Sequence, residues 1–202
     1  MIEVSTESFH RMIYNAKLLQ VGKDAPPVEF LFEGDRRGGR GSIRTSVSDG
    51  HMYLEDRTDC SLVESPGRFS VSAADIKQLE LALRTTEDEY LDIYFDGPQF
   101  YVEDLGFEAH VPIPVLPKHH ALNEWNWATP TIIEPFAIMG DRFRKLSLIK
   151  PGDFPVDFKL VYHSGYKSDI LVFKAGPTVQ GALSLLDRKI LENEVDSDAF
   201  LW

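Results

Sequence analysis

The sequence has one cysteine, Cys60, in 202 residues. A disulfide framework needs pairs and a thiolate metal centre needs several ligands, so neither can be built within the chain. The opening MIEVSTESFH has no cationic start and no apolar run, so it does not read as a signal peptide. No stretch approaches the roughly 18 apolar residues of a membrane helix. Basic charge is also in deficit: 21 Lys and Arg against 32 Asp and Glu give a formal charge of −11. An average surface of that sign repels nucleic acid and anionic membranes, although a few cations gathered on one face override an average locally. Catalytic signatures are missing too. There is no GxSxG, HExxH, Walker loop or dinucleotide glycine fingerprint. The adjacent His119 and His120 diverge and make a poor metal pair, and Asp92, Asp96 and Glu103 have no spacing that marks a carboxylate dyad. These absences predict a soluble, cytoplasmic protein that is not an enzyme and needs neither cofactor nor metal.

What is present is repetition. Val4, Val71 and Ile138 recur at a spacing of 67 residues (71 − 4 and 138 − 71). The same offset links Ile2, Phe69 and Phe136, and Phe9, Ile76 and Phe143. Apolar positions before and inside three candidate helices therefore fall in one register. After each helix come three short runs rich in Val, Ile, Phe and Tyr, many of them alternating with period two. They are PVEFLFEG, SIRTSVSDG and HMYLED, then EYLDIYFDG, QFYVEDL and FEAHVPI, then VDFKLVYHSG, SDILVFKAG and TVQGALSLL. Gly34, Gly97 and Gly165 stand where the first hairpin of each copy turns. The unit reads as strand, helix and a three-stranded meander.

Each helix carries one apolar stripe: Phe9, Met12, Ile13, Ala16 and Leu19 in the first, and Ile76, Leu79 and Leu83 in the second. Ser5 and Ser72 precede them as N-caps. The third helix is short, from about Asp141 to Ile149, and Pro151 stops it. Antiparallel sheets with helices on one face predict an α+β fold. The expected organisation is a two-repeat domain over 1–115, a proline-rich connector over 116–130, a third repeat over 131–190 and an acidic, aromatic tail over 191–202.

Charge follows the same register. His10, Lys77 and Arg144 are equivalent, as are Lys17 and Arg84, and each such pair within a helix lies two turns apart on one face. Arg11 flanks the face in the first helix, while Arg142, Lys145 and Lys150 enrich it in the third. A single helix with surface lysines is ordinary. Three cation-bearing helices in register predict one basic stripe for a shared polyanion, with the acids on the outer sheet face. The arginine-rich GDRRGGRG, Gly34 to Gly41, reads as a solvated hairpin tip.

FSVSAADIKQLELAL followed by EYLDIYFDG and PQFYVEDLGFEAHVPI resembles the second half of a domain of the DNA sliding clamps. That family includes the bacterial beta clamp, proliferating cell nuclear antigen and the tailed-phage clamps. Residues 144–187, RKLSLIKPGDFPVDFKLVYHSGYKSDILVFKAGPTVQGALSLLD, resemble the final half-domain of a phage clamp, including its PGD turn. The resemblance implies a clamp-like fold of tandem strand–helix–three-strand units. It further implies a processivity factor: a homo-oligomeric ring around double-stranded DNA, without sequence preference, that tethers a DNA polymerase and is placed by a clamp loader. The DNA-binding candidates are Arg11, Lys17, Lys77, Arg84, Arg142, Arg144 and Lys145, with His10 as a weaker member. A partner pocket is implied beside residues 112–122.

Two observations keep other readings open. Familiar clamp chains carry four or six such units and their rings total twelve, whereas this chain carries three. Phe200, Leu201 and Trp202, at the end of an acidic leash, resemble the clamp-docking tails of phage polymerases. A clamp-like adaptor that never encircles DNA, binding replication proteins through the DAFLW tail or a sheet edge, is therefore the alternative. A tail that folds back on its own domain, and a structural assembly component, are further ones. QLELAL, Gln78 to Leu83, looks like a clamp-docking peptide but lies in a helix whose Leu79 and Leu83 the core requires.

Overall fold

The structure is a computed structural model and describes residues 1–22, 24–34, 39–61, 67–96, 98–110, 138–150, 154–161 and 170–185. The first module runs β1 (Ile2–Ser5), α1 (Thr6–Lys17), β2 (Val28–Gly34), β3 (Arg40–Ser48) and β4 (Met52–Ser61). The second repeats it with β5 (Gly67–Val71), α2 (Ala73–Leu83), β6 (Tyr90–Asp96), β7 (Gln99–Val102) and β8 (Phe107–His110), a single 3-10 turn separating the last two. The third contributes α3 (Gly140–Ser147), β9 (Val156–Val161), β10 (Ile170–Ala175) and β11 (Val179–Ser184). All nine predicted meander strands are present. The leading strand expected in the third module, the connector at 116–130 and the tail at 191–202 lie outside the described residues, as do Gly97 and Gly165.

Local chemistry explains the helix starts. Ser72 caps α2 by accepting from the Asp75 amide at 3.2 Å. Ser5 occupies the same position before α1 but its side chain makes no such bond. There the Thr6 amide donates to the Glu89 carbonyl at 3.0 Å, and the Thr6 hydroxyl donates to the Asp88 carbonyl at 2.6 Å. A loop of the second module thus anchors the first helix.

The first two modules share one core because they exchange their leading strands. β1 pairs with β6 (Ile2↔Ile93, Val4↔Leu91), and β5 pairs with β2 (Val28↔Val71, Phe30↔Phe69). Phe30 and Phe69 stack at 5.3 Å, and Phe69 meets Phe100 at 4.8 Å. α1 and α2 pack over this cluster, with Phe9, Ile76, Leu79 and Leu83 buried and Leu81 exposed. The QLELAL segment is therefore helix and core at its two outer leucines.

The third module joins through the sheet. β11 pairs with β4 from Val179↔Asp56 to Leu183↔Met52, extending β5-β2-β3-β4 into β11-β10-β9. Gly181 permits the junction, since a Cβ there would sit 2.4 Å from both the Tyr53 carbonyl oxygen and the Phe173 ring. The 67-residue register holds at Met12, Leu79 and Leu146, all buried, but fails at Phe143. Phe9 and Ile76 are fully covered, whereas Phe143 is 61% exposed. The physical difference is that Phe9 and Ile76 lie in a core supplied by two modules.

Candidate nucleic-acid interface

The three helices cover the same side of the sheets, and the side chains they turn away from the core are cation-rich. Residues 6–20, 73–84 and 140–150 hold eight Lys and Arg against four Asp and Glu, in a chain whose total is 21 against 32. Acids gather instead at one end of the sheet, where Glu3, Asp92, Glu103 and Asp104 meet on β1, β6 and the turn after β7, while on β3 and β5 Arg44 and Arg68 pair with Glu33, Glu55 and Glu29. Burial and the neighbouring Asp104, Glu3 and Glu103 push the Asp92 carboxyl above its usual range.

The candidate cations fall into two groups. Lys77 and Arg144 stand exposed on α2 and α3 at equivalent positions. The other five are held by carboxylates. Arg11 makes two contacts with Asp56, 3.0 Å from Oδ1 and 3.2 Å from Oδ2. Lys17 and Arg84 converge on Glu80, the latter at 2.6 Å. Arg142 and Lys145 both reach Asp49 in the β3–β4 turn, the lysine at 3.4 Å. Burial disfavours the ionised Glu80, but hydrogen bonds from Lys17 and Arg84 outweigh it and lower the pKa. Asp49 is lowered likewise: burial opposes ionisation, yet the Met52 and His51 amides and Arg142 prevail. At Asp56 the balance reverses, and burial raises the pKa despite Arg11 and Asn15.

These pairs also draw the three helices together. Asn15, fully buried on the apolar side of α1, donates to Asp56 at 2.8 Å and to the Lys150 carbonyl at 2.8 Å. Its Oδ1 accepts from the Lys150 amide at 2.9 Å, so one side chain fastens the end of α3 to α1. The Lys150 ammonium sits 4.3 Å from the centroid of the Tyr14 ring. Tyr14 and Lys150, with Glu7, Ser8, His10 and Arg11, line a groove of about 390 Å³ on this face. His10 is kept below its ordinary pKa mainly by partial burial, with Lys150 and Arg84 adding to the effect and Glu80 opposing it. A residue of α1 thus feels cations of both other helices.

Sequence reasoning had not singled out Asn15 or Tyr14. Asn15 was detectable as a polar residue inside an apolar stripe; Tyr14 carried no signal of its own. Burial, then the nearby Asp59, pushes the Cys60 thiol up to about 11, leaving it protonated at neutral pH. Among the described residues no group of three or more His, Cys, Asp or Glu is placed to hold a metal ion, and no helix is long and apolar enough to cross a membrane. Phe200, Leu201 and Trp202 lie outside the described residues.

No family model matches the sequence, and a search of curated proteins found no match. Solved structures do match in three dimensions. The DNA polymerase sliding clamp of Bacillus subtilis aligns over 100% of this chain and 67% of its own, with a TM-score of 0.66 at 11% identity. The DNA polymerase III beta chain of Streptococcus pneumoniae covers 100% and 68%, with a TM-score of 0.65 at 13% identity. The fold is that of the DNA sliding clamps. A putative DNA polymerase III beta subunit from Eubacterium rectale agrees, at a TM-score of 0.61 and 10% identity over 96% of this chain and 68% of that one. Against these and other bacterial clamps the chain spans 63% to 68% of their length.

Proposed function

We propose that this chain is a DNA sliding clamp-like processivity factor: copies of it form a ring around duplex DNA and tether a replicative polymerase. The observation that carries the reading is the segregation of charge on a clamp fold, eight cations against four carboxylates on the helical segments of a protein whose net charge is −11. Duplex phosphates attract that face whatever their sequence, while the acidic cluster of Glu3, Asp92, Glu103 and Asp104 repels stray nucleic acid.

The pairing of the cations suits sliding rather than gripping. Asp56, Glu80 and Asp49 hold Arg11, Lys17, Arg84, Arg142 and Lys145 in fixed positions and neutralise part of their charge. Lys77, Arg144 and Lys150 remain to meet phosphates, through long, mobile stems. Contacts of that kind exchange readily between adjacent phosphates, which keeps barriers to translation low. A clamp loader and a polymerase are the partners such a ring requires. The pattern of residues 144–187 resembles the final half-domain of a tailed-phage clamp, and three modules per chain would reach twelve with four chains.

Retention on DNA tests the topology. The protein should remain on closed circular plasmid through gel filtration and be lost once the plasmid is cut at one site. Equal retention on both forms would reject encirclement. The second reading, a non-encircling adaptor acting through the DAFLW tail, is favoured by the odd module count. It predicts that a peptide ending in Phe200-Leu201-Trp202 competes with partner binding while DNA topology has no effect.

A further inference from the structure

We propose that the junction of the first and third modules holds a binding site for a small phosphorylated anion, on the sheet face away from the helices. Strand alternation sets that face. Asp56 of β4 points toward α1, where Arg11 and Asn15 bond it, so its neighbours Glu55 and Arg57 point the opposite way. Arg44 stands directly across from Arg57 in the β3–β4 register. The β10–β11 turn closes the other side: the Arg57 amide donates to the Thr178 carbonyl at 2.9 Å, and Val179 pairs with Asp56. Between them lies a pocket of about 300 Å³ bordered by Arg44, Glu55, Arg57, Lys174, Thr178 and Gln180.

Donors in this pocket lack an acceptor. The Arg44 Nε and the Thr178 hydroxyl are both buried and have no hydrogen-bond partner. Buried polar groups left in that state are costly. Arg57 is exposed and forms no ion pair among the described residues. Glu55, the carboxylate in the lining, is already engaged: the Tyr53 hydroxyl donates to one of its oxygens and Gln180 to the other, each at 2.8 Å. Arg44 directs one terminal nitrogen to Glu33 at 3.0 Å and holds the other 3.6 Å from Glu55. Those carboxylates fix the guanidinium in place without reaching its Nε.

A tetrahedral oxyanion answers these needs together. Like charges directly opposite each other across two strands destabilise a sheet. An anion between Arg44 and Arg57 converts that repulsion into two attractions. Guanidinium forks match phosphate oxygens in pairs, and the Thr178 hydroxyl donates from a third direction. The volume stands at the lower end of small-ligand pockets, so the occupant is a small molecule. Because β3 and β4 separate Arg44 and Arg57 from α1, the site is distinct from the cations of the helical face.

Calorimetric titration of the full chain tests the site, with inorganic phosphate, pyrophosphate and ATP added separately at constant low ionic strength. At least one should bind saturably, one per chain, and the tightest of the three identifies the source of the phosphoryl group. Arg57→Ala should weaken that binding about tenfold, and Thr178→Val about fivefold. Without anion, neither substitution should lower the urea midpoint, because Arg57 is exposed and the Thr178 hydroxyl has no bond to lose. Lys77→Glu combined with Arg144→Glu, on the helical face, should leave the affinity unchanged. Absence of saturable binding, undiminished affinity in Arg57→Ala and Thr178→Val, or an equal loss in the helical-face variant overturns the inference. So does a lower midpoint in anion-free Thr178→Val, which would make the hydroxyl a structural group. No DNA enters the titration, so rejection of the encircling ring leaves this site standing.

Discussion

Arg11 and Lys77 have the same charge and lie on neighbouring helices, yet their environments separate what they do. Arg11 is the cationic partner of Asp56, which is 1% exposed, so removing it strands a buried carboxylate. Arg11→Ala is expected to cost about 3 kcal/mol, read as a lower midpoint in urea denaturation. Lys77 and Arg144 are exposed, and their reversal to Glu should leave that midpoint unchanged. Each should instead remove one phosphate contact, reducing the slope of log K against log salt by about 0.9; a slope that stays constant in the double reversal would reject this face as the DNA contact. Asp49 and Glu80 add a pH dependence. Their folded pKa values lie below the unfolded ones, so their stabilisation is complete above the ordinary carboxylate range and is lost as pH falls through the lowered values. Denaturation series from pH 7 to pH 3 should show stability declining below about pH 4.5. Glu80→Gln should make that decline shallower.

At the scale of elements, much was legible and the exceptions have causes. The nine meander strands follow from alternation and turn residues, and α2 starts at the serine that caps it. Ser5 was expected to cap α1 in the same way, but the Glu89 and Asp88 carbonyls, distant in sequence, take over the role. Phe143 was expected in a buried stripe because periodicity reports which face of a helix is apolar, not whether another module covers it. The β4–β11 junction had no sequence signal except an unexplained glycine in the middle of a strand. Gly181→Ala should force apart the close approach of β11 to Tyr53 and Phe173. A loss of about 1–3 kcal/mol is expected, with hydrogen exchange accelerating first along 179–183. Uniform protection in that variant would mean the junction contributes little.

Across the whole molecule, the helices that carry the candidate cations do lie on one face of the sheets. Their state was not legible. Asp49 and Asp56 belong to strands and turns of the first module, and nothing local marks them as partners of Arg142, Lys145 and Arg11. The same contacts tie the third module to the first, because Asn15 of α1 holds the Lys150 backbone and Asp49 of the β3–β4 turn holds Arg142 and Lys145. Asn15→Leu should therefore detach the end of α3 and weaken DNA retention without touching a phosphate contact. Limited tryptic proteolysis after Arg144 or Lys145 would report the loosened helix, and an unchanged digestion pattern would count against the coupling.

The sequence by itself determined the unit and its threefold recurrence. Alternation, helical spacing and capping act over a few residues and survive any arrangement of the modules. Tertiary structure alone decided which modules share a core, which cations are neutralised and which aromatics stay uncovered. Those outcomes depend on strands exchanged across about 90 residues of chain (Ile2 with Ile93) and on carboxylates brought from other elements. Contacts that distant are set by the packing of whole modules, and no local pattern encodes them.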